Sequence, residues 1–210
     1  MGVVDRTRGW IYDAAIVRMT AAWYRAVLMR LPRGCRLLDI GIGTGSALLA
    51  NADLLVANDL HVTGVDVDGA YVTRCQRAVT GRGLAHRVAA RRESIYDHRG
   101  GPYDAAYFSA SFMLLPDPPA ALQHVGSLLA PRGRFYFTQT FEHRPSRAIE
   151  RLKPLLHLVT TIDFGRVTYE RDFRQVLDAS GMTIEEFETL HASARRSAVL
   201  AVASPAQPGT

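Results

Sequence analysis

Residues 37–45 read LLDIGIGTG, in which two apolar residues and an acid precede a glycine at every second position. This pattern predicts a strand that ends in a tight turn into a helix, because glycine adopts backbone angles barred to other residues and lets a ligand approach closely. A dinucleotide fingerprint would need glycine or alanine where Ser46 stands, and no lysine follows Gly45 as in a phosphate-binding P-loop. Asp39 would repel a pyrophosphate, whereas it suits a ligand that carries an ammonium group.

The next acid downstream favours a nucleoside ligand. Residues 61–66 read HVTGVD, a second short apolar strand, and its final Asp66 follows Gly45 by 21 residues. This distance leaves room for one helix, and nucleotide-binding α/β units place there the acid that binds the ribose hydroxyls. Asp66 could instead cap the helix that begins near Gly69, but Asp68 is better placed for that role.

Apolar patterning along the chain alternates between helix-length and strand-length segments. We predict helices at 10–31, 46–56, 69–79, 118–129 and 169–179, and strands at 36–40, 61–66, 87–92, 103–108, 134–140, 182–190 and 197–203. Strands that alternate with helices pair in parallel, whereas the short link at 192–196 allows only an antiparallel hairpin. The predicted fold class is therefore α/β, a mostly parallel seven-stranded sheet with helices on both faces and one antiparallel strand near the C-terminus.

The pattern D-x-G-x-G-x-G from Asp39 to Gly45, followed by Asp66, resembles the first motif of class I S-adenosylmethionine-dependent methyltransferases. The resemblance spans residues 37–203 and implies one methyltransferase domain over 1–210. The domain would consist of an N-terminal helix at 9–31, a core at 36–203 with a lid insert at about 144–168, and a tail at 204–210. The implied cofactor is S-adenosyl-L-methionine, with S-adenosyl-L-homocysteine as product and no metal.

The resemblance also implies roles for individual residues at the cofactor. Asp39 would hold its amino group, directly or through water, and the glycines would pass under its ribose and methionine portions. Asp66 would bind the ribose hydroxyls, and Val67 would lie against one face of the adenine. The full set of implied cofactor contacts is Asp39, Gly41, Gly43, Gly45, Asp66, Val67, Glu93, Ser94, Ile95 and Ser109. Within this set, Glu93 or Ser94 would bond the adenine amino group, and a solvated edge glutamate is the alternative for Glu93.

The resemblance implies that the methyl acceptor binds beside three segments. These are the N-terminal helix, whose start is rich in aromatic residues, the loop after the fourth strand and the insert after the fifth strand. We predict catalytic roles for His143, as base or donor, and for Tyr12, although a surface histidine is an equal alternative for His143. The predicted acceptor contacts are Trp10, Ser111, Phe112, Phe164 and Tyr169. Trp23 and Tyr24 lie among apolar neighbours and are predicted to pack in the core.

Motifs that mark metal-dependent and nucleic-acid methyltransferases are missing from the sequence. Residues 109–112 read SASF and offer no acidic ligands, so metal-assisted transfer is not expected. Residues 117–120 read DPPA, which lacks the aromatic residue of amino-methylating DNA enzymes and fits an N-cap with the first helical turn. The net charge of +5 includes no block of five like charges, so a nucleic-acid partner is not expected.

Without a visible signal peptide a cytoplasmic location is expected, and the resemblance together with the missing nucleic-acid motifs implies a small-molecule acceptor. No apolar run approaches the roughly 20 residues that a membrane requires, so stable membrane insertion is not expected. A monomer or homodimer is expected. Nitrogen is favoured over oxygen as the acceptor atom, because no histidine–acid pair stands at the spacing that would mark an O-methyltransferase base. The alternatives are a methyltransferase for a protein or lipid headgroup and a non-catalytic homologue that binds the cofactor.

Overall fold

A computed structural model describes residues 18–143 and 168–206 of the chain. The helices in these ranges are α1 (18–28), α2 (Ser46–Leu49), α3 (Ala52–Ala57), α4 (Gly69–Gly81), α5 (Pro118–Leu128) and α6 (Glu170–Ala179). The strands are β1 (Arg36–Ile40), β2 (His61–Asp66), β3 (Val88–Arg92), β4 (Tyr103–Ser109), β5 (Leu129–Glu142), β6 (Met182–Ala192) and β7 (Arg196–Pro205), and a 3₁₀ turn covers Phe112–Leu114. The predicted lid, apart from residue 168, and the first part of the predicted N-terminal helix lie outside the described residues.

The described strands form one seven-stranded sheet in the order β3-β2-β1-β4-β5-β7-β6. Strands β1 to β5 pair in parallel, and β7 runs antiparallel to both of its neighbours, β5 and β6. The predicted fold class is confirmed, including the antiparallel strand near the C-terminus. Because β2 and β4 lie on opposite sides of β1, the strand order reverses there. Open α/β sheets bind ligands at such a point, in a crevice outside the carboxyl ends of the strands.

Alternating side chains of the central strands supply two apolar cores, one on each face of the sheet. Tyr107 and Tyr136 face the core that contains α1 to α4, whereas Phe108 and Phe137 face the core that contains α5 and α6. The rings of Phe108 and Phe137 stack with their centroids 5.2 Å apart. A sheet that is covered on both faces leaves its strand ends as the places where a ligand can reach the backbone.

The sequence predicts one helix over 46–56 after the glycine loop. The structure has two helices there, α2 and α3, which are separated at Ala50 and Asn51. The Asn51 amide donates to the Ala47 carbonyl at 3.0 Å and to the Ala21 carbonyl of α1 at 2.9 Å. Asparagine side chains compete with the helical backbone for such bonds. The break therefore attaches α1 to the segment that follows the glycine loop.

Strand β5 begins at Leu129, ahead of its predicted start at 134. Tyr103 pairs with Leu129, and the next paired residues are Ala105 and Arg134, so the β5 side carries extra residues at a bulge. Bulges of this kind insert residues into one strand without ending the pairing. The turn residues at 131–133 therefore lie within the strand, where the sequence pattern indicated only a connection.

Strand β7 continues past residue 203, where the predicted tail begins. Ser204 and Pro205 pair with Thr183 and Met182 of β6. The prediction of a tail from residue 204 is thus wrong for these two positions. They belong to the edge hairpin because β6 is long enough to offer them backbone partners.

Candidate active site

The glycine loop between β1 and α2 has the conformation that its sequence predicts. Gly41, Gly43 and Gly45 have φ angles of 84°, 59° and 68°, in the left-handed region that favours glycine. A Cβ atom on Gly41 would lie 2.8 Å from the Ser111 Cβ, so a side chain there would collide with the loop after β4. At Gly43, by contrast, no described atom lies within 4 Å of an added Cβ. The loop is therefore closely packed at Gly41 and open above Gly43.

The Asp66 carboxylate fastens this loop to the end of β2. Its Oδ2 accepts the Gly43 N–H at 2.9 Å, and its Oδ1 accepts the Asp68 N–H at 2.9 Å. Asp68 in turn accepts the N–H groups of Ala70 and Tyr71, which confirms it as the N-cap of α4. Each carboxylate oxygen has two lone pairs, so the half-buried Asp66 keeps acceptor capacity for ligand hydroxyls.

Asp39, at the end of β1, is fully buried beneath the loop. Its Oδ2 accepts the Tyr24 hydroxyl at 2.8 Å, whereas its Oδ1 has no hydrogen-bond partner among the described residues. Burial raises the pKa of Asp39 to about 7; the bond from Tyr24 opposes this shift, and the nearby charge of Asp66 adds to it. An unpartnered buried carboxylate oxygen is costly, and a ligand that donates a hydrogen bond would remove the cost.

Tyr24 is a site residue that the sequence did not reveal. The prediction that it packs in the core is confirmed, since it is buried and its ring meets Tyr107 edge-to-face at 4.9 Å. Its hydroxyl nevertheless reaches Asp39, which lies 15 residues away on a different element. The available signal was the choice of tyrosine rather than phenylalanine at a buried position, because a buried hydroxyl requires a partner.

The loop after β3 is supported by a buried chain of hydrogen bonds. Glu93 Oε1 lies 2.8 Å from His98 Nδ1, and His98 Nε2 lies 2.9 Å from the Tyr103 hydroxyl. His98, for which the sequence predicted no role, is fully buried. The alternative of a solvated edge glutamate does not describe Glu93, since one of its oxygens is engaged by His98. The second oxygen of Glu93, Oε2, takes no part in this chain of bonds, and the hydroxyl of half-buried Ser94 accepts the Tyr96 N–H at 3.4 Å.

Two predicted contact residues lie in the core. Phe112 is 1% exposed and packs against Phe137 and Phe173, with ring centroids 5.0 and 5.9 Å apart. Ile95 belongs to the same apolar cluster and is 4% exposed. Neither side chain presents appreciable surface to a ligand, so we remove both from the proposed contacts. Val67, at the mouth of the crevice, is 70% exposed and stays in the proposed set.

The other predicted residues that the structure describes lie at or near the carboxyl ends of β4 and β5; Ser109 is predicted for the cofactor, and Ser111, His143 and Tyr169 for the acceptor region. Ser109 ends β4, and the Ser111 hydroxyl donates to the Ile40 carbonyl at 2.5 Å. His143 follows β5 and is exposed, and its neighbour Glu142 donates its N–H to the carbonyl of Thr168, next to Tyr169, at 3.1 Å. Trp10, Tyr12 and Phe164 lie outside the described residues. Among the described residues, no group of three or more His, Cys, Asp or Glu side chains could hold a metal ion.

Comparison with known proteins identifies a family model that matches most of this chain. A family model described as a methyltransferase domain matches residues 14–186. An O-methyltransferase of Aspergillus nomiae is 27% identical over 111 residues, which cover 52% of this chain and 48% of that protein. The chain thus aligns with about half the length of this curated relative.

Solved structures share the fold. The SpnF cyclase superposes with a TM-score of 0.70 at 20% identity, covering 89% of this chain and 81% of that one. A geranyl diphosphate C-methyltransferase from Streptomyces coelicolor, in complex with Mg²⁺, geranyl diphosphate and S-adenosyl-L-homocysteine, gives a TM-score of 0.68 at 13% identity. That alignment covers 89% of this chain and 76% of the other. At such identities the likeness concerns the architecture alone.

Proposed function

The chain belongs to the methyltransferase domain family, and on this premise we propose that it transfers a methyl group from S-adenosylmethionine to a small-molecule acceptor. The observation that carries the proposal is the buried Oδ1 of Asp39 directly beneath the glycine loop, which has no hydrogen-bond partner in the described parts of the chain. An ammonium group is the partner that this oxygen lacks, and a positive charge would favour the ionised carboxylate. The open space above Gly43 allows a ligand to pass close to the backbone.

The proposed cofactor contacts follow the carboxyl ends of the first four strands. Asp39 would take the amino group, with the carbonyl of Ser109 beside it. Asp66 would take the ribose hydroxyls on the lone pairs that Gly43 and Asp68 leave free. Val67 would cover one face of the adenine, and the adenine amino group would reach Glu93 Oε2 or the hydroxyl of Ser94.

The residues of this chain would contribute alignment more than acid–base help. When bound, S-adenosylmethionine supplies a methyl group on a positively charged sulfur, which is already a strong electrophile. Holding two reactants in the correct geometry can supply about 7–11 kcal/mol of a barrier. The rigid partners of the glycine loop, Asp66 on one side and Ser111 on the other, provide such a frame.

We place the acceptor at the carboxyl ends of β4 and β5, beside Ser111, His143 and Tyr169. Trp10, Tyr12 and Phe164 are proposed to complete this region from segments outside the described residues. His143 would act as base or donor, supported by its exposed position directly after β5. No metal is invoked.

Nitrogen remains our proposed acceptor atom. Within the described ranges, histidines approach carboxylates at His98–Glu93 and at His61–Asp59. In the first pair His98 is buried, and the second pair lies at the amino end of β2, so neither histidine is available as a base beside the acceptor. The O-methyltransferase of A. nomiae argues for oxygen, and identification of the methylated product decides between the two.

Calorimetric titration with S-adenosylhomocysteine and with NAD tests the cofactor. Tighter binding of NAD would overturn the proposal. Incubation with methyl-labelled cofactor and pooled metabolites, with and without excess chelator, then tests transfer. We expect a labelled small molecule at an unchanged rate in chelator. Label on protein or on lipid headgroups would favour the macromolecular alternatives, and binding without transfer would favour a non-catalytic homologue.

In the described part of the chain, no helix is long and apolar enough to cross a bilayer.

A further inference from the structure

The contact between Tyr24 and Asp39 joins an element outside the parallel sheet to the proposed ammonium site. Tyr24 lies on α1, which the predicted cofactor motifs do not include, and its hydroxyl donates to Asp39 Oδ2 at 2.8 Å. Both residues are buried, so water does not substitute freely for this bond. The second oxygen, Oδ1, has no partner in the described part of the chain.

We propose that Tyr24 is a positioning residue that keeps the Asp39 carboxylate charged and aligned for the ammonium group of the cofactor. This inference rests on the proposed function, because it concerns the same ligand. It assigns a role to the hydroxyl of Tyr24 that differs from the packing role of its ring. Through this hydroxyl, the docking of α1 becomes coupled to cofactor affinity.

Among the described groups around Asp39, Tyr24 is the one that favours the ionised carboxylate. Asp66 on β2 carries the same charge and opposes ionisation of Asp39. Cys75 on α4 and Tyr107 on β4 face the carboxyl as neutral groups, since burial raises the pKa of both. Tyr24 has a raised pKa as well and stays a neutral donor. Its bond lowers the pKa of Asp39, because a hydrogen bond to the charged form favours that form.

Ligand affinity should therefore depend on pH through Asp39. The burial of Asp39 raises its pKa to about 7, so the carboxyl is largely protonated below that pH. A bound ammonium group requires the ionised form, and the displaced proton passes to the buffer. Affinity for an ammonium-bearing ligand should rise up to tenfold per pH unit below pH 7 and level off above it. Without the Tyr24 hydroxyl, this profile should move upward by about one to two pH units.

Tyr24→Phe removes the hydroxyl and keeps the ring. Tyr107→Phe is the matched control, because it removes a neighbouring buried hydroxyl that bonds Thr138 rather than Asp39. We would titrate wild type and both variants from pH 5.5 to 8 with two ligands. S-adenosylhomocysteine carries the ammonium group, and 5′-methylthioadenosine has the same nucleoside without it.

The expected result is specific to one variant and one ligand. Tyr24→Phe should weaken the binding of S-adenosylhomocysteine about fivefold to fiftyfold at pH 7 and leave the binding of 5′-methylthioadenosine within about twofold. Tyr107→Phe should leave the pH profile unchanged. Equal weakening of both ligands by Tyr24→Phe would show a merely structural role and overturn the inference, as would an unshifted profile. If wild type bound neither ligand, the proposed function would be overturned as well.

Discussion

Replacement of Asp39 with asparagine should change the pH dependence of folding stability in a calculable way. In the folded chain, burial raises the pKa of Asp39 from 3.8 to about 7. Between these values the folded state holds a proton that the unfolded state has lost, so the stability contributed by this proton disappears as pH rises. The loss is about 1.4 kcal/mol per pH unit well below pH 7 and decreases near it, which gives about 2 kcal/mol from pH 5 to pH 7.

The amide of the Asp39→Asn variant cannot ionise, so the variant lacks this loss. At pH 5 it should be less stable than wild type by about 1–3 kcal/mol, because its amide N–H groups replace an oxygen that has no partner among the described residues. At pH 8 this deficit should vanish or reverse. Urea unfolding of ligand-free protein at a series of pH values measures both curves, and calorimetry should show that the variant has lost its affinity for S-adenosylhomocysteine.

Asp53→Asn is the control for this experiment. Asp53 is an exposed carboxylate paired with Arg25, which holds its pKa below the usual range, so it stays ionised from pH 5 to pH 8. The stability difference between this variant and wild type should therefore be constant over that interval. If the Asp39→Asn curve also ran parallel to wild type, a raised Asp39 pKa would be refuted.

Four further substitutions separate binding roles from structural roles. Asp66→Ala should weaken the binding of S-adenosylhomocysteine about thirty- to thousand-fold in calorimetry. Asp68→Ala should cost about 1 kcal/mol of stability, because it removes a helix cap, and should leave the affinity nearly unchanged. Equal effects of the two substitutions on affinity would contradict the ribose role of Asp66. Glu93→Ala should lower unfolding free energy by about 1–3 kcal/mol in urea, since it leaves buried His98 Nδ1 without its acceptor, and an unaltered midpoint would count against the buried chain. Phe112→Ala should cost about 3–5 kcal/mol in the same assay, and a variant of full stability with reduced turnover would return Phe112 to the acceptor site.

The fold was accessible from the sequence because its signals are local and periodic. The glycine pattern at 41–45, the apolar strands and the short link before β7 each determine a nearby feature of the backbone. The break at Asn51 and the bulge in β5 were not predicted, because each depends on a partner from another element. Asn51 requires the Ala21 carbonyl, and the bulge requires Tyr103 opposite Leu129.

The candidate site likewise has one part that the sequence predicts and another that depends on contacts between distant elements. Asp39, Asp66 and the glycines follow from strand ends and spacing, which the sequence states directly. The contact of Tyr24 with Asp39 and the burial of His98 between Glu93 and Tyr103 depend on side-chain geometry across the fold. A histidine in a polar loop and a tyrosine in an apolar helix look ordinary in sequence. Their roles appear only when the partners are brought within hydrogen-bond distance.

The close approach of Gly45 to Cys75 gives the chain an intrinsic reporter of motion in the glycine loop. A Cβ on Gly45 would lie 2.5 Å from Cys75 Sγ, so loop and thiol cover each other. Burial raises the pKa of Cys75 to about 11, and a thiol reagent reacts with the thiolate. Alkylation of Cys75 therefore requires local opening of the glycine loop. Alkylation of buried Cys35, at the far end of β1, requires a separate local opening there. The ratio of the labelling rates of Cys75 and Cys35 reports how often the glycine loop separates from α4, and no reporter residue has to be introduced by mutation.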